Sequence, residues 1–368
     1  MSIRKQLKKI LLHISPVFRV VCCIRTQSET LQGYLKLLPE LSDIQIINIK
    51  NELLSFFWVI FNTARDPISQ GARCGSISID HSLFGLFNVP GTFLDLGGNI
   101  GAFSLSFGAM GWNGYTFEAS SKNADVLKKS IFLNNFDITL INKAVFDKTG
   151  YIYFGQLGPY GLIQNEMTSG IQWEEIPCIC LDDWYNQEGA PEKIDFIKID
   201  IEGSEVAALR GMKKMLEKYC FPPIFVESNS WTLFLQSETQ KSLLSTANEM
   251  GYIPYILKNT SLLKYDINNF PMVLCTDFLL IKDIPENLKI NTYGEYIQDP
   301  NEVVTFLIKS LSKLEDGFDR QLYTSMCYAL KDFPDYVCNI EIRDKLEHIV
   351  RINANDNFLK KYLGWFLQ

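Results

Sequence analysis

Three short strings in this chain bring together residue types that can do chemistry. In Phe93-Leu94-Asp95-Leu96-Gly97-Gly98-Asn99-Ile100-Gly101, an apolar strand ends in an acid, a glycine-rich turn follows, and a helix takes over. Gly97 and Gly98 let the backbone turn tightly with no Cβ in the way of a ligand. Gly101 lets the helix approach the sheet, and the amides at that helix's start favour polar or anionic groups. Glu118 closes the next strand, 17 residues after Gly101. Nucleoside-binding folds place an acid there to accept hydrogen bonds from ribose hydroxyls; the plainer reading is a surface carboxylate at a strand end. In Ile194-Asp195-Phe196-Ile197-Lys198-Ile199-Asp200-Ile201-Glu202-Gly203-Ser204-Glu205, period-2 geometry puts Lys198, Asp200 and Glu202 on one face and the isoleucines on the other. Burying such charges is costly unless they are paired. Ser204 and Glu205 also read simply as a helix start. A further strand, Pro223-Ile224-Phe225-Val226, ends in Glu227-Ser228-Asn229, so Glu227 and Asn229 are placed to face the same cleft as Asp200.

The glycine turn discriminates between ligands. A dinucleotide fold wraps pyrophosphate with G-x-G-x-x-G, whereas this turn is D-x-G-x-N-x-G, with Asn99 in place of a close glycine. Asp95 would repel a pyrophosphate and suits a ligand bearing an ammonium group. S-adenosylmethionine, a sulfonium with an amino-acid tail and an adenosine, is such a ligand. The pattern favours it over a nicotinamide dinucleotide.

The elements that must position these groups alternate. Strands are expected at 93–96, 115–117, 138–145, 176–181, 194–199, 223–226, 252–257 and 274–281, and helices at 100–110, 120–133, 204–218 and 239–250. Such alternation argues for an α/β fold, a parallel sheet with helices on both faces. Residues 155–173, with Gly158, Pro159, Gly161 and Gly170, read as a loop able to cover an acceptor. Trp112, Trp173, Trp184 and Trp231 are near enough to the motifs to wall an acceptor cleft. Residues 1–90 form a mixed, mostly helical N-terminal segment, a substrate lid or surface contact, with helical periodicity near 31–41. Residues 91–284 form the α/β domain. Residues 285–368, with apolar positions at helical spacing such as Val304, Leu307, Ile308 and Leu311, form a small α-helical annex.

Composition sets the outer bounds. With 47% hydrophobic and 21% charged residues over 368 positions, the chain can bury a sizeable core and is not a disordered polymer. A net charge of −7 argues against a nucleic-acid partner. Nine scattered cysteines without a C-x-x-C pair, and only His13, His81 and His348, leave little for a zinc site. That many free thiols points to a reducing, cytoplasmic setting. The longest uncharged apolar stretches, 10–18 and 53–61, are half a membrane span. The basic start, Arg4, Lys5, Lys8, Lys9, Arg19 and Arg25 before Glu29, has Pro16 and Arg19 where a leader would be apolar, and does not read as a signal peptide. It offers a peripheral contact with an anionic membrane surface, the ordinary alternative being a solvated helix.

Taken together, LDLGGNIG, FEAS, NKAV, LDDW, FIKIDIEGSE and IFVES resemble the FkbM-type S-adenosylmethionine-dependent methyltransferases over about residues 92–283. Gly98 stands where family members usually carry alanine. The resemblance implies a class I methyltransferase (Rossmann-like) sheet of seven strands, the last antiparallel, with 252–257 and 274–281 as the terminal hairpin. It implies S-adenosylmethionine as cofactor and methyl transfer to a hydroxyl of a sugar, glycan or secondary metabolite. Asp95, Gly97, Gly98, Asn99 and Gly101 would line the methionine end, Glu118 would hold the ribose, and Ala144 and Val145 would lie near the adenine. Asp200 and Glu202 would face the transferable methyl, one of them as general base, with Lys198 tuning the charge. Asp200, Glu227 and Asn229 are further candidates for a magnesium site, and His81 is an alternative candidate base. The helical annex offers a surface for self-association. Two other readings stay open: a degenerate nucleoside-binding module acting through a partner protein, and a nicotinamide-dependent oxidoreductase.

Overall fold

The computed structural model describes residues 43–62, 66–74, 76–77, 81–157, 160–164, 173–187, 189–316 and 319–367. The basic stretch before Glu29 and the periodicity near 31–41 lie outside them. The described part of 1–90 differs from the mostly helical segment expected. It opens with an antiparallel pair, β1 (Ile44–Lys50) and β2 (Ser55–Phe61), followed by a short helix α1 (Pro67–Arg73). The apolar run at 53–61 explains the difference. Phe56, Trp58, Val59 and Ile60 are all buried, so both faces of β2 are covered, and a run of that length suits a buried strand as well as a helix.

The α/β domain follows as expected. It runs β3 (Thr92–Leu96), α2 (Ala102–Ala109), β4 (Asn113–Phe117), α3 (Ser121–Asn134) and β5 (Ile138–Ile141). Ser120 caps α3 by accepting from Asn123 N, and Asn135 ends it in the left-handed conformation at φ 53°. Phe93, Leu94 and Leu96 have no exposure, the mark of a central strand covered on both faces.

The run expected as one strand at 138–145 divides at Asn142-Lys143, where the Asn142 amide donates to the Glu118 carbonyl at 2.7 Å. Its second half, β6 (Ala144–Val145), joins a separate four-stranded sheet with β7 (Gly150–Leu157), β8 (Tyr160–Gln164) and β9 (Trp173–Ile179), in the order β6-β9-β7-β8. The stretch expected as a covering loop therefore contains an antiparallel strand pair in its described part.

After a turn of helix, α4 (Leu181–Trp184), comes β10 (Phe196–Ile199). The helix expected at 204–218 is broken into α5 (Glu205–Arg210) and α6 (Lys213–Lys218). Gly211 stands at the break. A Cβ there would lie 2.6 Å from the Phe146 carbonyl oxygen, so close backbone approach decides the interruption. Then come β11 (Ile224–Asn229), α7 (Ser230–Leu235), α8 (Gln240–Glu249), β12 (Ile253–Lys258), β13 (Ser261–Lys264), β14 (Cys275–Ile281) and β15 (Thr292–Glu295).

The main sheet has nine strands in the order β15-β13-β12-β14-β11-β10-β3-β4-β5. From β5 to β11 all pairs are parallel, and β14 runs antiparallel between β11 and β12. This is the class I methyltransferase sheet, widened by β13 and β15. β12 and β14 pair as neighbours but are joined through β13, so they are not the simple terminal hairpin expected. The annex is helical: α9 (Pro300–Glu315), α10 (Arg320–Tyr328), α11 (Pro334–Val337), α12 (Ile340–Ile352) and α13 (Asn357–Leu363). It closes on Leu307, Leu311, Leu330, Ile342 and Leu346, and docks through Tyr362, whose ring centroid lies 4.0 Å from that of Phe234 on α7. No helix among the described residues is long and apolar enough to cross a membrane.

Candidate active site

The carboxyl ends of β3, β4, β10 and β11 open into a cavity of about 570 Å³. Small-molecule sites occupy roughly 300–1,000 Å³. Gly97, Gly98 and Asn99 form one wall, and each is there for a physical reason. Gly97 has φ 90°, and a Cβ on it would run into the Asp200 carbonyl oxygen. A Cβ on Gly98 would run into Thr116 Oγ1. Asn99 takes the left-handed conformation, at φ 47°. Gly101 (φ 102°) is not on the cavity wall. A Cβ there would sit 2.5 Å from Leu127 Cδ1, so Gly101 serves the packing of α2 on α3 rather than the methionine end of a ligand.

Glu118 lies on the cavity wall, buried at 7% exposure. Its Oε2 accepts from Asn99 N at 2.7 Å and its Oε1 from Ser120 N at 2.8 Å. Burial pushes its pKa up to about 7 against the lowering effect of those amides. Asn123 Nδ2 adds a longer bond to Oε1 at 3.5 Å, and since a carboxylate has about four lone-pair sites, capacity is left for a ribose hydroxyl. Ala144 and Val145 line the cavity next to Ala119, Ser120 and Asn123, where the sequence reading set the nucleobase.

Asp95 does not reach the cavity. It is fully buried beneath the turn, where Oδ2 accepts from Ser104 Oγ at 2.6 Å and Oδ1 pairs with Lys198 Nζ at 3.3 Å. Lys198 is committed on three sides, because Nζ also donates to the Gly97 carbonyl at 2.9 Å and pairs with Asp200 Oδ2 at 3.2 Å. Burial opposes its charge, but Asp200 and Asp95 outweigh that and hold the ammonium charged, well above its usual pKa. Lys198 therefore fixes the donor turn to two strand ends and is a positioning residue.

Asp200 and Glu202 both reach the cavity, but β10 ends at Ile199 and Ile201 lines the cavity with them, so the expected strand alternation does not extend to these residues. Glu202 sits beyond the strand in a left-handed conformation at φ 55°, which strains a residue with a side chain. Burial first, then Asp200, Glu227 and Glu205, raise its carboxyl to about 9. Glu205 organises this turn from below. Its buried Oε1 accepts from Ile201 N and Gly203 N, each at 3.1 Å, and burial raises its carboxyl to about 7. The sequence reading gave Glu205 only a place at the start of a helix.

Glu227 joins the cavity, raised by burial and by Asp200, and accepts from Cys275 Sγ at 3.2 Å. Asn229 does not join it. It caps α7, its Oδ1 accepting from Trp231 N at 3.1 Å, which takes it out of the candidate magnesium set. Among the described residues no group of three or more His, Cys, Asp or Glu side chains is arranged to hold a metal ion. The His81 side chain lies outside what is described. Trp112, Trp173, Trp184 and Trp231 are not among the lining residues; Trp184 packs against Phe117 and Trp112 against Phe107 in the interior.

Several lining residues carried no sequence signal that was used. Asp277 faces Glu227 across the antiparallel β11–β14 pair, a register that period-2 alternation could have suggested. Phe103 follows the glycine turn by one helical step, and Phe225 precedes Glu227 on the same strand face. Ile68 and Leu83 come from outside the α/β domain, and nothing in their spacing marks them.

Residues 95–254 match the family model described as the methyltransferase FkbM domain. That segment is an FkbM methyltransferase domain. It spans the donor turn, Glu118, Lys198, Asp200, Glu202 and Glu227, and leaves out Asp277 with most of β12 and all of β13, β14 and β15. No curated protein matches the chain. Among solved structures, the chain is similar to a precorrin-6y C5,15-methyltransferase from Geobacter metallireducens, at 12% identity over 55% of this chain and 85% of that one, TM-score 0.30. It is also similar to TYW2 of M. jannaschii in complex with AdoMet, at 14% identity over 65% and 84%, TM-score 0.32. Likenesses of this size assign no substrate to the FkbM domain.

Proposed function

We propose that the chain is an S-adenosylmethionine-dependent O-methyltransferase acting on a hydroxyl of a sugar, glycan or other small-molecule acceptor. The observation that carries the reading is one cavity lined together by the Cβ-free turn, Glu118 and Glu202. When bound, S-adenosylmethionine supplies a methyl group whose departure leaves a neutral thioether. Gly97 and Gly98 admit the donor's backbone-hugging end, and Glu118 accepts from its ribose hydroxyls. Lys198 keeps the turn and Asp200 in register. Much of the catalysis is then positioning. Glu202 takes the acceptor proton as the new bond to oxygen forms, because Asp200 is already engaged by Lys198. Its raised carboxyl makes Glu202 a stronger base when ionised.

Methyl transfer from labelled donor to a panel of glycosides tests this. Glu202→Gln should lower turnover by at least about 100-fold, the usual scale of a general base, while S-adenosylhomocysteine affinity stays within twofold. Asp200→Asn should lower it too. Undiminished turnover in both variants would remove these acids from the reaction.

A further inference from the structure

The cavity does not end where the FkbM domain does. Pro67 and Ile68 on α1, and Leu83 in the turn that follows, line it although they precede residue 95. The strand pair before them is fastened to the donor turn. Trp58, fully buried on β2, donates its indole N–H to the Ile100 carbonyl at 2.7 Å, and β2 is tied to α3 through Val59 N to Ser130 Oγ at 2.9 Å. Leu83 and Ile68 belong to the same apolar cluster as Phe103 and Phe225, which also line the cavity. Phe225 lies on β11, three strands from the Glu118 strand β4. At about 4.8 Å per strand this is roughly 14 Å from the ribose end. Phe225 thus stands towards the acceptor end, and Ile68 and Leu83 share its apolar cluster.

The same cavity is lined by Asp200, Glu202, Glu227 and Asp277. The cation there, Lys198, is already occupied by Asp95, Asp200 and the Gly97 carbonyl. The other lysine on the cavity, Lys143, adjoins Ala144 at the nucleoside end.

We infer that Ile68 and Leu83 are specificity-determining residues, and that with Phe103 and Phe225 they select an acceptor presenting an apolar face beside its hydroxyls and carrying no anionic group. The inference rests on the O-methyltransferase reading and narrows it to neutral glycosides, deoxy sugars foremost. Their C–H face packs on the apolar wall while their hydroxyls donate to the carboxylates. A uronate or sugar phosphate meets a group of acids whose neighbouring lysine, among the described residues, is already paired, and an anion left unpaired is a strong discriminator.

The test uses the full chain, with a methyl 6-deoxyhexoside, a methyl hexoside, a methyl hexuronoside and a hexose phosphate as acceptors. S-adenosylhomocysteine affinity is measured alongside. The neutral glycosides should be methylated with kcat/KM at least 100-fold above the anionic ones. Ile68→Ser should raise KM for the 6-deoxyhexoside at least tenfold with S-adenosylhomocysteine affinity unchanged, and Ile68→Val should restore it. Leu83→Ala repeats the test within the same wall. Equal use of the hexuronoside, or an unchanged KM in a folded Ile68→Ser chain, overturns the inference. Failure to methylate any glycoside by a chain that binds S-adenosylhomocysteine also overturns it. A chain that does not bind S-adenosylhomocysteine instead overturns the donor reading on which it rests.

Discussion

Lys198 Nζ stands 3.3 Å from Asp95 Oδ1, and this ion pair is sealed beneath the glycine turn, Asp95 having no exposure at all. A charge that looked like reaction machinery on a strand face is therefore a clamp. Removing one partner of a buried pair strands the other. Lys198→Met should cost about 3–5 kcal/mol of stability, read from urea denaturation. Adding Asp95→Asn to that variant should recover part of the loss. If Lys198→Met unfolds at the wild-type midpoint, the pair does not hold the turn.

The raised carboxyls at the site carry a stability signature. Glu118 and Glu202 hold their protons up to about 7 and about 9 when folded, against an ordinary value of 4.5. Between those limits the folded chain binds more protons than the unfolded one, so stability falls as pH rises. Their contribution is complete below about pH 4.5 and fades through about pH 7 for Glu118 and about pH 9 for Glu202. The ligand-free chain should lose at least about 1 kcal/mol between pH 6 and 9, and the double variant Glu118→Gln, Glu202→Gln should lose less. Denaturation midpoints that climb over this range would contradict the burial of these acids.

Turnover should follow the opposite course. A base of pKa about 9 is mostly protonated at neutrality, so kcat/KM should rise from pH 6 towards pH 9. In Glu202→Gln the residual rate should lose that limb. A wild-type profile flat over the same interval would take the proton away from Glu202.

Trp58 ties a segment outside the family domain to the donor turn through the Ile100 carbonyl. Trp58→Phe keeps a ring but leaves that carbonyl unpaired, costing about 1–3 kcal/mol. S-adenosylhomocysteine affinity should fall threefold to tenfold as the turn loosens. Unchanged affinity, by calorimetry, would mean the turn is held without the N-terminal strand pair.

Much of this was legible in the sequence for local reasons. The glycine turn declares itself by its residue types between an apolar strand and a helix, although the atoms that exclude a Cβ at Gly97 and Gly98 belong to Asp200 and Thr116. The acids at 200 and 202 stand out as charges that close an apolar strand ending at Ile199. The parallel run from β5 to β11 followed from strand–helix alternation, but β13, β15 and the separate four-stranded sheet did not. What escaped notice depended on contacts between distant segments. Asp95 reads as a ligand acid until Ser104 and Lys198 are seen to enclose it. Gly101 reads as part of the turn until Leu127 is seen against it. The break at Gly211 is set by a backbone 65 positions earlier, at Phe146. Strand β2 could not be told from a helix, since a fully covered apolar run has no polar face to set its period.

The central claim is a donor site built from the glycine turn and Glu118, and it is tested most directly by titrating S-adenosylhomocysteine into the wild type and Glu118→Ala by calorimetry. The account predicts micromolar binding by the wild type and at least tenfold weaker binding by the variant. No binding by the wild type, or equal binding by both, would contradict it.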